Sequence, residues 1–116
     1  MRKNLTRGER LHGTGAIKGL FATARRVEAQ GLKLLSQENR AGVNRIAIVV
    51  GRGCGGAVRR NRERRITREA YRDLKSSLVL GYDLVFVVGR FGQSFGERRD
   101  TLRRLFERAR LNGDGN

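Results

Sequence analysis

Residues 45–89 read RIAIVVGRGCGGAVRRNRERRITREAYRDLKSSLVLGYDLVFVVG. The two ends, Arg45 to Gly51 and Tyr82 to Gly89, are short β-branched apolar runs closed by a glycine, which suits strands buried on both faces. From about Ala57 to Ser77 the apolar positions follow a helical period, so a strand, helix, strand unit with parallel outer strands is expected. On a helical wheel Ile66, Ala70 and Leu74 fall within an arc of about 80°, the expected core stripe. Arg60, Arg64, Arg68, Asn61, Arg72 and Arg65 share another arc, about 140° wide, with Tyr71 inside it. Arginines four apart repel by a few tenths of a kcal/mol per pair, so this face is unfavourable unless something negative lies against it. The plain alternative is a solvated face in which Glu63, Glu69 and Asp73 partner some of the arginines. A solvated face interleaves the signs, whereas Arg59 to Arg65 holds five Arg and one Glu.

Ahead of this helix, Gly51-Arg52-Gly53-Cys54-Gly55-Gly56 places four glycines in six residues. A backbone this open can approach a ligand, and helix amino-terminal amides favour phosphate. No Gly-Lys-Ser or Gly-Lys-Thr follows, so it is not a Walker loop. Gly51, Gly53 and Gly56 satisfy G-x-G-x-x-G, but the chain is too short for a two-half dinucleotide sheet. Further upstream, Thr14 is the expected cap of a helix from Gly15 to about Arg26, with Ile17, Leu20, Phe21 and Ala24 on one stripe. Leu32 to Leu35 is a short candidate strand before a polar turn. Downstream, Ser94 and Glu97 form the capping box of a last helix that turns Leu102, Leu105, Phe106 and Ala109 inward. The expected class is α+β, in one domain over residues 1–116 with a basic arm at 1–10 and a disordered tail at 112–116.

The chain has 116 residues, 26 Lys plus Arg against 11 Asp plus Glu, and a net charge of +15. Twenty-two of those cations are arginines, whose planar fork pairs bidentately with phosphate. An excess of this size costs stability by self-repulsion unless a polyanion offsets it, so nucleic acid is the leading partner, ahead of acidic protein or anionic membrane. No apolar stretch approaches a membrane span and no signal peptide is evident, so a soluble, cytoplasmic protein is expected. Cys54 and His12 are the only residues of their types, which excludes an internal disulfide and a zinc ligand set. No Ser, Cys or Thr nucleophile has a histidine near it in a recognisable catalytic context, and the acidic residues form no paired-carboxylate motif. Any chemistry is expected to come from another molecule.

The run from Gly55 through Arg60-Asn61-Arg62 to Arg72 resembles the signature of the bacterial ribonuclease P protein subunit, "GNAV-x-RNR-x-KR-x-x-RE-x-[FY]-R". The resemblance extends over nearly the whole chain. It implies an α-β-β-β-α-β-α two-layer sandwich with a left-handed βαβ crossover, the ribosomal protein S5 domain 2-like fold, although general rules favour the right-handed form in about 98% of cases. It implies an endoribonuclease holoenzyme in which a catalytic RNA removes the 5′ leader of precursor tRNA with Mg2+ bound mainly through that RNA. The implied partners are the catalytic RNA, in a 1:1 complex, and precursor tRNA. Arg60, Asn61, Arg62, Arg64, Arg65 and Arg68 match family positions for RNA contact, and Arg52, which matches a basic position in the turn, is expected to bind RNA with them. Phe21 matches an aromatic of the leader cleft, and Ile17 and Leu35 stand where many members have aromatics; for all three the plain alternative is core. Gly51, Gly53 and Gly56 replace a usual Ser, Lys and Asn. The competing function is a small basic ribosomal or architectural RNA-binding protein.

Overall fold

The runs at 45–50 and 82–88 lie side by side as parallel strands in the computed structural model, which describes residues 14–113. In chain order the elements are α1 (Thr14–Thr23), β1 (Arg25–Ala29), β2 (Leu32–Glu38), β3 (Arg45–Val50), α2 (Ala57–Leu74), β4 (Tyr82–Val88) and α3 (Phe95–Ala109). Short 3-10 turns at Arg52–Cys54 and Lys75–Ser77 flank α2. The sheet order is β1-β2-β4-β3, with β1 antiparallel to β2, β2 antiparallel to β4, and β3 parallel to β4.

Strand alternation sorts the sheet into two faces. Leu34, Phe86 and Ile48 share one cross-strand row, flanked by Leu84 beside Ile46 and by Leu32 beside Val88. This face packs under α2 and α3, which contribute Ala70, Tyr71, Leu102, Leu105, Phe106 and Ala109 to the principal core. On the other face Leu35, Val85 and Ala47 form the middle row, and Leu20 of α1 covers it. The last helix begins as its sequence requires: Ser94 and Glu97 exchange both capping-box hydrogen bonds. The Ser94 amide and hydroxyl hold the Glu97 carboxyl below its usual range.

Four expectations change. Helix α1 stops at Thr23 instead of Arg26, because Arg25 and Arg26 pair with Ser36 and Leu35 as β1. With only Val27 and Ala29 as apolar residues, RRVEA carries too weak a strand signal to read alone, and the hairpin turn at Gln30 and Gly31, both at positive φ, is what aligns it. Tyr71 lies in the core, not on the arginine face: it is 1% exposed and meets Phe86 and Phe106 edge-on at centroid distances of 5.9 and 6.5 Å. The inward arc is wider than three aliphatic residues suggest, since Glu63, Thr67 and Tyr71 join Ile66 and Ala70 in it while Leu74 is only partly buried. At the carboxyl end, Asn112 bridges Leu78 and the Gly113 amide donates to Ser77, so ordered structure continues past the expected start of the tail. The basic arm and residues 114–116 lie outside the described residues.

Candidate nucleic-acid interface

The positions singled out on α2 are not equivalent once folded. Asn61 and Arg65 are exposed, and Arg64 and Arg68 are half-buried. Arg59, Arg65 and Arg68 have no hydrogen-bond or ion-pair partner among the described residues, and Arg64 makes one contact, 3.4 Å from its Nη1 to Asn61 Oδ1. Arg60 sits at the margin of the buried arc, with its Nε enclosed and unpaired among the described residues. Arg52 is exposed on the 3-10 turn that precedes the helix.

Arg62 points elsewhere. Its Nη1 donates to Glu63 Oε2 at 3.3 Å and its Nη2 to the Gln93 carbonyl at 3.2 Å, which ties α2 to the loop between β4 and α3. That junction contains a group the apolar pattern hid. Arg98 of α3 is fully buried, donating to Glu63 Oε1 at 2.6 Å, Thr67 Oγ1 at 2.8 Å, Gln93 Oε1 at 2.7 Å and the Arg90 carbonyl at 3.2 Å. The Gly92 amide donates to Glu63 Oε2 at 2.9 Å. Burial by itself would raise the Glu63 pKa, but the Gly92 amide, the Arg98 hydrogen bond and the charges of Arg98 and Arg62 together hold it below its usual value. A sequence search has one usable signal here: Arg98 lies three to four residues ahead of Thr101 and Leu102 on the inward stripe, where a cation needs a buried carboxylate.

The amino terminus of α2 is open to an anion. Gly56 is its N-cap without a side-chain hydrogen bond, and no acidic residue lies in the first turn. Gly55 adopts φ +118°, and a Cβ there would lie 3.1 Å from Arg59 Cδ, so the glycine lets the Arg59 stem cross the loop closely.

On the opposite side of the sheet, α1 leaves part of the sheet uncovered. Leu35 is 1% exposed and packs beneath Leu20 with Val85. Ile17 is half-buried, and Phe21 is 42% exposed at the helix surface. Beside them the row Lys33, Val87 and Val49 is exposed or half-buried, and Ala47 is half-buried, giving a shallow apolar strip edged by a lysine. The structure therefore puts the three expected cleft residues on one side of the sheet and the arginine face of α2 on the other. Among the described residues no three His, Cys, Asp or Glu side chains converge on a metal-sized site, and no helix is long and apolar enough to cross a membrane.

Comparison with known proteins agrees with this architecture. The Ribonuclease P family model matches residues 5–110. The ribonuclease P protein component of Caldanaerobacter subterraneus is 30% identical over 113 residues, covering 96% of this chain and 95% of that protein. That of Petrotoga mobilis is 38% identical over 79 residues, covering 68% of this chain and 67% of that one. The solved RNase P protein from Thermotoga maritima superposes with a TM-score of 0.77 at 28% identity, over 86% of this chain and 96% of that one. The Staphylococcus aureus RNase P protein, with a TM-score of 0.80 and 19% identity over 90% and 98% of the two chains, shares the fold.

Proposed function

Because the chain belongs to the ribonuclease P protein family, we propose that it binds the catalytic RNA of ribonuclease P through α2 and the 5′ leader of precursor tRNA through the α1 side of the sheet. The observation that carries this reading is the outward face of α2, where Arg65 and Arg68 beside Asn61 lack partners among the described residues. Guanidiniums without carboxylate partners are free to take phosphates, and Asn61 both donates and accepts, which suits a ribose or a base edge. Arg52, Arg60 and Arg64 extend this surface toward the glycine loop, and Arg62 borders it. On the far side, Phe21 and Ile17 of α1 together with the half-buried Val49 and Val87 of the sheet offer apolar surface on which unpaired leader bases can rest. Leu35 supports that surface from below.

Cleavage of the leader is then an RNA reaction. Magnesium, when bound, supplies the charge stabilisation of phosphodiester hydrolysis. It would be held mainly through the RNA phosphates, and the arginines lower the repulsion between the two RNAs. A 1:1 complex with the catalytic RNA in the cytoplasm completes the reading.

Reconstitution tests it. Adding the protein to a cognate catalytic RNA at low magnesium is expected to accelerate precursor-tRNA cleavage and to favour precursor over mature tRNA. Unchanged cleavage together with co-purifying ribosomal RNA would instead assign the chain to ribosomal or architectural RNA binding.

A further inference from the structure

Resting on that reading, we propose that a cavity at the carboxyl ends of β3 and β4, separate from the α1 strip, receives one unpaired ribonucleotide. The cavity measures about 290 Å³ and is lined by Cys54, Arg59, Arg62, Glu63, Phe91 and Gly92. Small-ligand pockets start at about 300 Å³, so the space suits a single base with its phosphate and not a folded RNA element.

Three observations select that occupant. Arg59 and Arg62 supply two guanidiniums at the rim, and they differ in freedom. Arg59 is unpartnered among the described residues, whereas Arg62 is fixed by Glu63 and the Gln93 carbonyl while 41% of its side chain stays exposed. Glu63 would repel a phosphate if its carboxylate were open. Both of its oxygens are already engaged, Oε1 by Arg98 and Oε2 by Gly92 and Arg62, so the wall it forms is not acidic toward a ligand. The third observation is Phe91, half-buried and held in place. Its ring lies 3.6 Å from where a Gly51 Cβ would stand and 4.0 Å from that of Gly53, and it packs against Val50, Cys54 and Val88. The glycine-rich turn thus makes room for an aromatic ring beside two arginines. An immobilised aromatic next to guanidiniums is the arrangement that binds a splayed-out base and its phosphate. An acidic peptide would use the arginines but leave the aromatic wall unused.

The test combines a mononucleotide titration with holoenzyme binding. Uridine and adenosine 5′-monophosphate, added to the full-length protein, are expected to shift the NMR signals of the Phe91 ring and the Cys54 and Gly92 amides. Inorganic phosphate should move only signals around Arg59. Phe91→Leu, which keeps an apolar side chain against Val50 and Val88, should weaken nucleotide binding about tenfold, the scale of one stacked base, and Phe91→Tyr should retain it. The nucleotide can belong to the catalytic RNA or to the precursor leader. If it belongs to the first, Phe91→Leu weakens binding of the catalytic RNA alone; if to the second, it weakens only holoenzyme affinity for leader-bearing precursor. In either case the salt dependence is unchanged, because the arginines still neutralise the same phosphates, while Arg59→Ala lowers the slope. The proposal is overturned if phosphate reproduces every nucleotide-induced shift, or if Phe91→Leu matches the wild type in both RNA assays. Failure of the ribonuclease P reading would look different, with the wild-type protein itself leaving precursor cleavage unchanged.

Discussion

Helices α2 and α3 lie side by side on one face of the same sheet, and both are rich in arginine, seven in α2 and five in α3, with three acidic residues in each. They use that charge in opposite ways. On α3, Arg98 pairs with Glu63, Arg99 with Asp73 at 3.0 Å and Arg103 with Asp100 at 3.0 Å, while Arg108 donates to the Glu28 carbonyl. Two of these carboxylates, Glu63 and Asp73, belong to α2. Of the three acidic residues that a solvated face would offer the arginines of α2, Glu63 and Asp73 reach across to α3, with Glu63 keeping a longer contact to Arg62 as well. Arg59, Arg65 and Arg68 are left with no partner among the described residues. The number of arginines on a helix therefore says little about a nucleic-acid surface, and the destination of the neighbouring carboxylates says much more.

The most severe way to break this contrast is to remove the buried cation. Arg98→Met strips Glu63 Oε1 of its buried cation, leaving only the Arg62 and Gly92 contacts on Oε2, and is expected to lower stability by about 3–5 kcal/mol in urea unfolding. The same pair sets an acid limb. Glu63 has a lower pKa folded than unfolded, so its contribution is complete above its unfolded value, about 4.3, and is lost as pH falls through the folded one. Thermal midpoints should fall along that limb, and Glu63→Gln should flatten it. On the outer face of α2 the effect moves from stability to binding. Arg65→Ala with Arg68→Ala should leave unfolding nearly unchanged, yet reduce the log-log salt slope of RNA binding by up to about 0.9 for each phosphate no longer neutralised. An unchanged slope would place the RNA surface elsewhere. Ser94→Ala, which removes the cap of α3, should cost about 1 kcal/mol without altering the salt slope. The smallest effect is expected at Arg103→Ala, within about 0.5 kcal/mol by the same unfolding assay, because its ion pair with Asp100 is exposed.

Much of the fold is legible in the order of residues alone. The runs 45–50 and 82–88 announce buried parallel strands because their β-branched residues leave no polar face, and the Ser94 and Glu97 pair announces the start of α3. The edge strand β1 is not legible, since RRVEA becomes a strand only when its hairpin with β2 closes. At the candidate interface, the Arg65 and Arg68 face follows from helical spacing. The fate of Arg62 does not, because its partner Gln93 is supplied from 31 residues away. Phe91 has no signal at all, lying outside every period and motif.

By itself the sequence determined the direction each side chain takes within its own element, and with it the arginine ridge of α2, the inward stripe of α3 and the excess of positive charge. Only the tertiary structure decided which element faces which: that Tyr71 turns into the aromatic core, that Glu63 neutralises an arginine 35 residues away, and that a glycine turn closes on Phe91. The physical reason is that the backbone period fixes angles over a few residues, whereas charge pairing and burial depend on neighbours brought together when the sheet is covered.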